Sequence, residues 1–174
     1  MAEPGNLLTR VWVTTALAVL MLGGIPAQAL DVGNPVPVFS LISNRGKLDS
    51  TSLNGKLVYV DFWASWCVPC KQSFPWMNEM QAKYAERGLH VLAINVDTKQ
   101  SDAEKFLAQV PAQFQVAFDA SGATPKQFAV KGMPSSYLID GAGRTVYTHS
   151  GFRESDKTAI EAAIVAALDS MKKR

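Results

Sequence analysis

Cys67 and Cys70, separated by Val68 and Pro69, are the residues whose type and spacing most directly suggest chemistry. They are the two cysteines of the chain. A thiolate is the nucleophile of disulfide exchange, and residues three apart on a helix lie on the same face. The pair can therefore close a disulfide and reopen it. In that reaction Cys67 would attack a foreign disulfide and Cys70 would resolve the resulting mixed disulfide.

The segments on either side of the pair predict that it begins a helix. Leu57–Phe62 is mostly apolar and rich in β-formers, which is typical of a strand buried on both faces. Apolar residues recur at helical spacing over residues 69–86, and Gly88 fits a helix stop. Because a helix N-terminus carries unpaired N–H groups and a positive dipole, it favours a thiolate. We therefore expect Cys67 to be exposed and Cys70 to be sheltered one turn deeper.

Two other interpretations of the cysteine pair are open at this point. A structural disulfide that closes so short a loop would remove little chain entropy and stabilise the fold weakly. A zinc site needs four ligands, and the remaining candidates, His90 and His149, are far apart in the sequence. The sequence thus favours redox chemistry, and no metal is expected.

The rest of the chain predicts an α/β domain. Strands are predicted at Val38–Ile42, Lys47–Leu48, Val91–Val96, Gln115–Phe118, Ser136–Ile139 and Thr145–His149. A capping box at Ser101–Glu104 predicts a helix to about Val110, and Thr124-Pro125 predicts a short helix with Thr124 as its N-cap. An apolar stripe from Ile160 to Met171 predicts the last helix. Strands that alternate with helices indicate a central mixed β-sheet flanked by helices.

The first residues of the chain look like a targeting segment. A weakly basic start precedes a mostly apolar run over residues 11–25, and Ala27-Gln28-Ala29 fits a signal-peptidase site. The run is shorter than the roughly 20 residues needed to span a bilayer. We predict a signal peptide at residues 1–29 and one domain at residues 30–174, with an uncleaved membrane anchor as the alternative. Export would place the cysteines where disulfides persist.

Charge and composition exclude some classes of partner. The net charge is +2, and the 18% of charged residues form no long block of one sign. No electrostatic footprint for nucleic acid is present. The apolar share of 48% is enough to build a core, and the length suits one domain. We expect a monomer that binds no nucleic acid.

The segment from Val60 to Lys71 resembles the active-site segment of the thioredoxin superfamily. Its continuation to Asn78 resembles the exported TlpA-like branch, which includes the ResA-type and cytochrome-c-maturation thioredoxins. Further matches at Ala93–Asp97 and Gly132–Asp140 extend the resemblance over essentially residues 35–170. It implies a thioredoxin-like fold with an N-terminal β-hairpin extension. It also implies thiol–disulfide oxidoreductase activity with no cofactor beyond the Cys67–Cys70 disulfide.

The resemblance also implies roles for four further residues. Pro134 would be the cis-proline beside the cysteines, and the backbone of Met133 would pair with an extended substrate strand. Trp66 would help to shape the docking surface. Asp61, the one charge of its apolar strand, corresponds to a buried aspartate that relays the proton of the second cysteine. We expect a raised pKa for Asp61 and action as general base for Cys70 through water, rather than a solvated aspartate at an edge.

This chain departs from the family at two positions near the predicted base. Ala93 stands where thioredoxin has a lysine, and Ser73 stands where ResA-like members have a glutamate. Between the cysteines, Val68 and Pro69 lack the histidine that stabilises the thiolate of strong oxidants. The potential should therefore lie nearer thioredoxin's roughly −270 mV than the about −120 mV of a strong oxidant.

These features predict a periplasmic protein-disulfide reductase that acts on client protein disulfides and is re-reduced by a membrane thiol donor. An alternative is a dedicated assembly factor that delivers reductant to apocytochrome c or a metallochaperone. A peroxidase is disfavoured, because Ala64 occupies the position of the Thr or Ser hydroxyl that peroxiredoxins place before their nucleophilic cysteine. A docking module with incidental cysteines is a further alternative.

Overall fold

The computed structural model describes Met1 and residues 32–173. Apart from Met1, the predicted leader at residues 1–29 lies outside the described residues. The described strands are β1 (Ser40–Ser43), β2 (Gly46–Asp49), β3 (Leu57–Trp63), β4 (Leu89–Asn95), β5 (Gln115–Phe118), β6 (Ser135–Ile139) and β7 (Thr145–Ser150). The described helices are α1 (Val68–Tyr84), α2 (Gln100–Gln109), α3 (Ala123–Gln127) and α4 (Lys157–Lys172). In this part of the chain, no helix is long and apolar enough to cross a membrane.

The strands form one mixed sheet in the order β2-β1-β5-β4-β3-β6-β7. The central strand β3 runs parallel to β4 and antiparallel to β6. The predicted N-terminal hairpin is confirmed as β1 and β2, and it joins the sheet through antiparallel pairing of β1 with β5. Because parallel strands end at the same edge, the ends of β3 and β4 lie side by side, with Trp63 in register with Asn95.

Strand β3 is buried along its whole length, as its apolar pattern predicted. Successive side chains of a strand point to opposite faces, so β3 contributes to two cores. Tyr59 and Trp63 belong to the cluster that also contains the buried residues of α1 and α4. Val60 and Phe62 belong to the cluster on the other face. Asp61 shares the face of Tyr59 and Trp63, which is the face that α1 covers.

Two predicted helix starts are wrong. Helix α3 begins at Ala123 after Gly122, and the N–H of Thr124 donates to Oδ2 of Asp119 at 2.7 Å. Thr124 is therefore inside the helix, because the aspartate in the preceding loop supplies the acceptor. Helix α2 begins one residue before Ser101, with Lys99 in the capping position and no side-chain cap, so the predicted capping box does not form.

Candidate active site

Cys67 and Cys70 form a disulfide at the start of α1, with an S–S distance of 2.04 Å and a Cα–Cα distance of 5.3 Å. Cys67 is the residue just before the helix, with extended backbone angles, and its Sγ accepts the N–H of Cys70 at 3.3 Å. An acceptor at this position satisfies one of the N–H groups that have no partner inside a helix. The same N–H and the helix dipole would stabilise a negative charge on this sulfur.

The exposure of the two cysteines differs from the prediction. Cys67 is 3% exposed and Cys70 is fully buried, so the expectation of an exposed Cys67 is wrong for the disulfide form. The reason is that the Cys67 side chain turns back to cap the first helical turn. Both cysteines belong to the α1 cluster, against which Met133 packs. The side chains on either side of Cys67, Trp66 and Val68, are each 69% exposed.

The loop between β3 and α1 is held in place by Asp97, which lies just beyond the end of β4. Its Oδ2 accepts the N–H of Ser65 at 2.8 Å, and its Oδ1 accepts the Ser65 hydroxyl at 3.0 Å. Asn95 donates its side-chain Nδ2 to the same Oδ2 at 2.8 Å. Asn95 and Asp97 contribute to the family resemblance, but this contact between Asp97 and the cysteine loop was not predicted from the sequence. The sequence signal for this contact was a pair of polar residues at the end of the buried strand β4, which runs parallel to β3, the strand before the cysteines.

Asp61 is buried in the sheet beneath α1, with 1% of its surface exposed. Its Oδ1 accepts the hydroxyl of Ser136 at 2.6 Å, whereas its Oδ2 has no hydrogen-bond partner among the described residues. Burial raises the pKa of Asp61 from 3.8 to about 7, and the Ser136 hydrogen bond opposes this rise. The raised pKa agrees with the expectation from sequence, and the edge-facing, solvated alternative is wrong. Ser136 was not identified from sequence.

The two departures from the family pattern are both buried, one beside Asp61 and the other beside Cys70. Ala93 is opposite Asp61 in the register of β3 and β4, so a small apolar side chain lies beside the carboxylate. Ser73 donates its hydroxyl to the carbonyl of Cys70 at 3.2 Å. Neither position brings a charge to Asp61, which leaves burial as the main cause of its raised pKa.

The Met133–Pro134 peptide bond is cis, as the resemblance implies. It lies just before β6, whose first residue, Ser135, is in register with Phe62 near the end of β3. The bond is therefore at the same end of the sheet as the loop that carries the cysteines. The carbonyl of Pro134 accepts the N–H of Gly151 at 2.8 Å, which ties this turn to the strand β7 beside it.

Both histidines have a polar side-chain neighbour other than the cysteines. Nε2 of His90 is 3.0 Å from Oε1 of Gln115, and Nε2 of His149 is 3.2 Å from Oδ2 of Asp156. Within residues 32–173, no group of three or more metal-capable side chains comes together.

Comparison with known proteins places this geometry in a family. The Redoxin family model matches residues 31–164. The chain is 32% identical over 135 residues to the thiol-disulfide oxidoreductase ResA of Bacillus thuringiensis subsp. konkukian, covering 77% of each chain. It is 28% identical over 125 residues to ResA of Bacillus subtilis, covering 71% of this chain and 70% of the relative.

A solved structure shows the same fold. The crystal structure of a Chlorobium tepidum protein described as a thiol:disulfide interchange protein, DsbE, superposes with a TM-score of 0.79 at 55% identity. The match covers 80% of this chain and 99% of that one. The mixed sheet, its flanking helices and the cysteine pair at the start of α1 thus form a thioredoxin-like fold. The chain belongs to the Redoxin family and is a thiol–disulfide oxidoreductase.

Proposed function

We propose that this chain is a periplasmic protein-disulfide reductase that uses the Cys67–Cys70 dithiol. The observation that carries the proposal is the position of Cys67, whose sulfur accepts the N–H of Cys70 at the start of α1. The leader-like residues 1–29 support export, with residues 30–174 as the working domain. Val68 and Pro69 supply no cationic donor to the thiolate, which supports a reducing potential.

The first step is attack by Cys67. Its thiolate attacks one sulfur of a client disulfide, the client S–S bond breaks, and a mixed disulfide forms between Cys67 and the client. The second client sulfur leaves as a thiolate and takes up a proton. The N–H of Cys70 and the dipole of α1 stabilise the attacking anion.

The second step is resolution by Cys70. Its thiol gives its proton, through water, to the carboxylate of Asp61, and the resulting thiolate attacks Sγ of Cys67. The bond between Cys67 and the client breaks, and the remaining client sulfur leaves as a thiolate that is then protonated. The client disulfide has gained two electrons, and the enzyme is left with its own disulfide. A base with a pKa of about 7 suits this transfer near neutral pH.

Client docking is assigned to the surface beside Cys67. Trp66 offers an exposed aromatic side chain there, and exposed aromatic residues are common anchors of protein interfaces. We propose that the backbone of Met133, before the cis-proline Pro134, pairs with an extended client strand. Such pairing gives affinity through main-chain hydrogen bonds without selecting one client sequence.

A reductase in an oxidising compartment consumes one dithiol in each cycle. We propose that a membrane-embedded thiol donor reduces the Cys67–Cys70 disulfide again by the reverse exchange. No further cofactor is needed, since both electrons reside in the dithiol. We expect the working protein to be a monomer.

Two measurements on the chain without residues 1–29 test the direction of electron flow. We expect a midpoint potential near −270 mV and rapid reduction of insulin by the reduced protein. A potential above about −150 mV would contradict the reductase proposal, because it would match the strong oxidants. A reducing potential with almost no insulin reduction would instead favour a dedicated factor for apocytochrome c or a metallochaperone.

A further inference from the structure

Ser136 is the side chain that donates a hydrogen bond to the buried carboxylate of Asp61. We infer that Ser136 is a positioning residue for the resolving step: by occupying Oδ1 of Asp61, it leaves Oδ2 as the oxygen that exchanges a proton with Cys70. The inference rests on the proposed role of Asp61 as the base for Cys70. It adds a residue that acts through Asp61 without contact with the client.

The contact is built into the sheet. Asp61 on β3 and Ser136 on β6 are directly opposite in the antiparallel register, so their side chains lie on the same face. The hydroxyl of Ser136 is 2.6 Å from Oδ1, and both residues are buried. Both strands lie inside the sheet, with β4 beside β3 and β7 beside β6.

Tyr59 is a second buried titratable group on the face of the sheet that carries Asp61. Its side chain is buried, with 1% of its surface exposed. Burial and the charge of Asp61 raise the pKa of Tyr59 well above its ordinary value, so the phenol keeps its proton. A serine hydroxyl has one proton to donate, and here Asp61 receives it. Ser136 therefore donates its proton to Oδ1 of Asp61.

The other oxygen of this carboxylate, Oδ2, has no hydrogen-bond partner among the described residues. Asp61 shares a face with Tyr59 and Trp63, whose cluster contains Cys70. A buried carboxylate oxygen without a partner is costly, and active sites are where such costs are retained. The unpaired oxygen thus lies on the face of the sheet that carries the thiol it would serve.

The other groups that face this region come from three elements. Strand β4 presents Ala93 beside Asp61, and α1 presents Cys70. On strand β7, His149 lies opposite Ser136 in the register. Its Nε2 is 3.2 Å from Oδ2 of Asp156. The causes that set the pKa of Asp61 are burial first and the Ser136 hydrogen bond second. Ser136 is therefore the residue to change.

The direct test is an NMR titration of the Asp61 side-chain carboxyl carbon in the disulfide form of the protein. In Ser136→Ala the charged carboxylate loses a donor, so its midpoint should move up by about one pH unit. Ser136→Thr keeps the hydroxyl and should restore the wild-type midpoint. An unchanged midpoint in Ser136→Ala would overturn the inference.

A second pair of variants tests the same inference if Ser136→Ala does not fold. Ser136→Thr and Ser136→Val have the same shape and differ by the hydroxyl alone. We expect the Asp61 midpoint to be higher in Ser136→Val than in Ser136→Thr by about one pH unit. Equal midpoints in this pair would overturn the inference in the same way. Thr145→Val is the control, since it removes a buried hydroxyl of β7 that has no partner in the described part of the chain.

A single-turnover assay tests the consequence for chemistry. The reduced protein is mixed with an aromatic disulfide whose released thiol is coloured, so that the first release reports attack by Cys67 and the second reports resolution by Cys70. Ser136→Ala should shift the pH midpoint of the second release upward by about one unit and leave the first release unchanged. A shift of the first release by the same amount would contradict a role confined to Asp61.

The double variant separates the two proposals. If Ser136 acts through Asp61, adding Ser136→Ala to Asp61→Asn should change the second release no further. Equal effects of Ser136→Ala with and without Asp61 would overturn the inference alone. If Asp61→Asn itself leaves the second release and its pH profile unchanged, the proposed base fails, and the inference fails with it.

Discussion

The start of α1 and the interior of the sheet treat negative charge in opposite ways. Sγ of Cys67 receives a backbone N–H and the positive end of a helix, both of which stabilise an anion. The Asp61 carboxylate lies in an apolar core, and burial raises its pKa from 3.8 to about 7. A site of this kind needs both environments. In the proposed mechanism, the first environment stabilises the nucleophile Cys67, and the second holds a base that can take up a proton near neutral pH.

The same contrast appears in how each region is held. The loop before Cys67 is held by hydrogen bonds from Ser65 to the side chain of Asp97, just beyond the end of β4. Asp61 belongs to the interior strand β3 and accepts a hydrogen bond from Ser136, its register partner on β6. A surface loop can adapt to different client proteins, whereas a proton acceptor must keep one position. The loop that carries Cys67 and the strand that carries Asp61 are thus held in ways that fit their proposed roles.

The largest effect is expected from Cys70→Ala. This variant keeps the attacking sulfur and removes the resolving one, so turnover should stop after one attack. Stable mixed disulfides between Cys67 and client proteins should then accumulate, visible on a non-reducing gel and released by dithiothreitol. Cys67→Ala is the matched control and should trap nothing. Equal trapping by the two variants would remove the distinction between the two cysteines.

The next effect is on the pH dependence of stability. Because the pKa of Asp61 is raised in the folded protein, the folded state holds a proton that the unfolded state has already lost between about pH 4 and pH 7. Stability relative to Asp61→Asn should therefore fall as the pH rises through this range. The loss should reach about 4 kcal/mol above pH 8, at about 1.4 kcal/mol per pKa unit. It is measured by denaturant unfolding of both oxidised proteins.

A constant difference between the two proteins across this pH range would show that Asp61 titrates normally. The comparison cancels the other carboxylates, because their contributions are common to both proteins. Glu161, whose pKa is lowered mainly by a hydrogen bond from Lys83, would change stability with the opposite sign.

A smaller effect is expected from the anchor of the cysteine loop. Asp97→Asn retains one acceptor oxygen and loses another, so a donor from Ser65 or Asn95 is left unpaired. We expect the free energy of unfolding to fall by about 1–3 kcal/mol, the cost of a buried group without its partner. Ser65→Ala removes one of these bonds and should cost about 0.5–1.5 kcal/mol. A Ser65→Ala effect as large as that of Asp97→Asn would contradict this account of the anchor.

Sequence predicted the parts of the site that depend on local pattern. The strand, short loop and helix around Cys67 follow from nearby residues, and the lone charge of an apolar run identified Asp61. Ser136 and Asp97 were missed because their partners lie 75 and 32 residues away. Such contacts depend on which strands are neighbours and in which register, and no local pattern contains that information.

The errors have the same origin. The local sequence predicted Thr124 as an N-cap, whereas in the structure the N–H of Thr124 donates to the carboxylate of Asp119. Cys67 was expected to be exposed because it begins the helix and Cys70 lies one turn deeper, yet its side chain folds back on the first turn of α1 and is covered. Local rules describe what a residue can do, and packing decides which of its options is used.

The most direct test of the account is titration of the Cys67 thiol in the reduced protein, followed by the ultraviolet absorbance of the thiolate. Cys70→Ala serves as a single-thiol version. We expect a Cys67 pKa clearly below the value of about 8.5 for a free cysteine, because the helix start stabilises its anion. A value at or above that of free cysteine would contradict the central claim that α1 makes Cys67 the nucleophile.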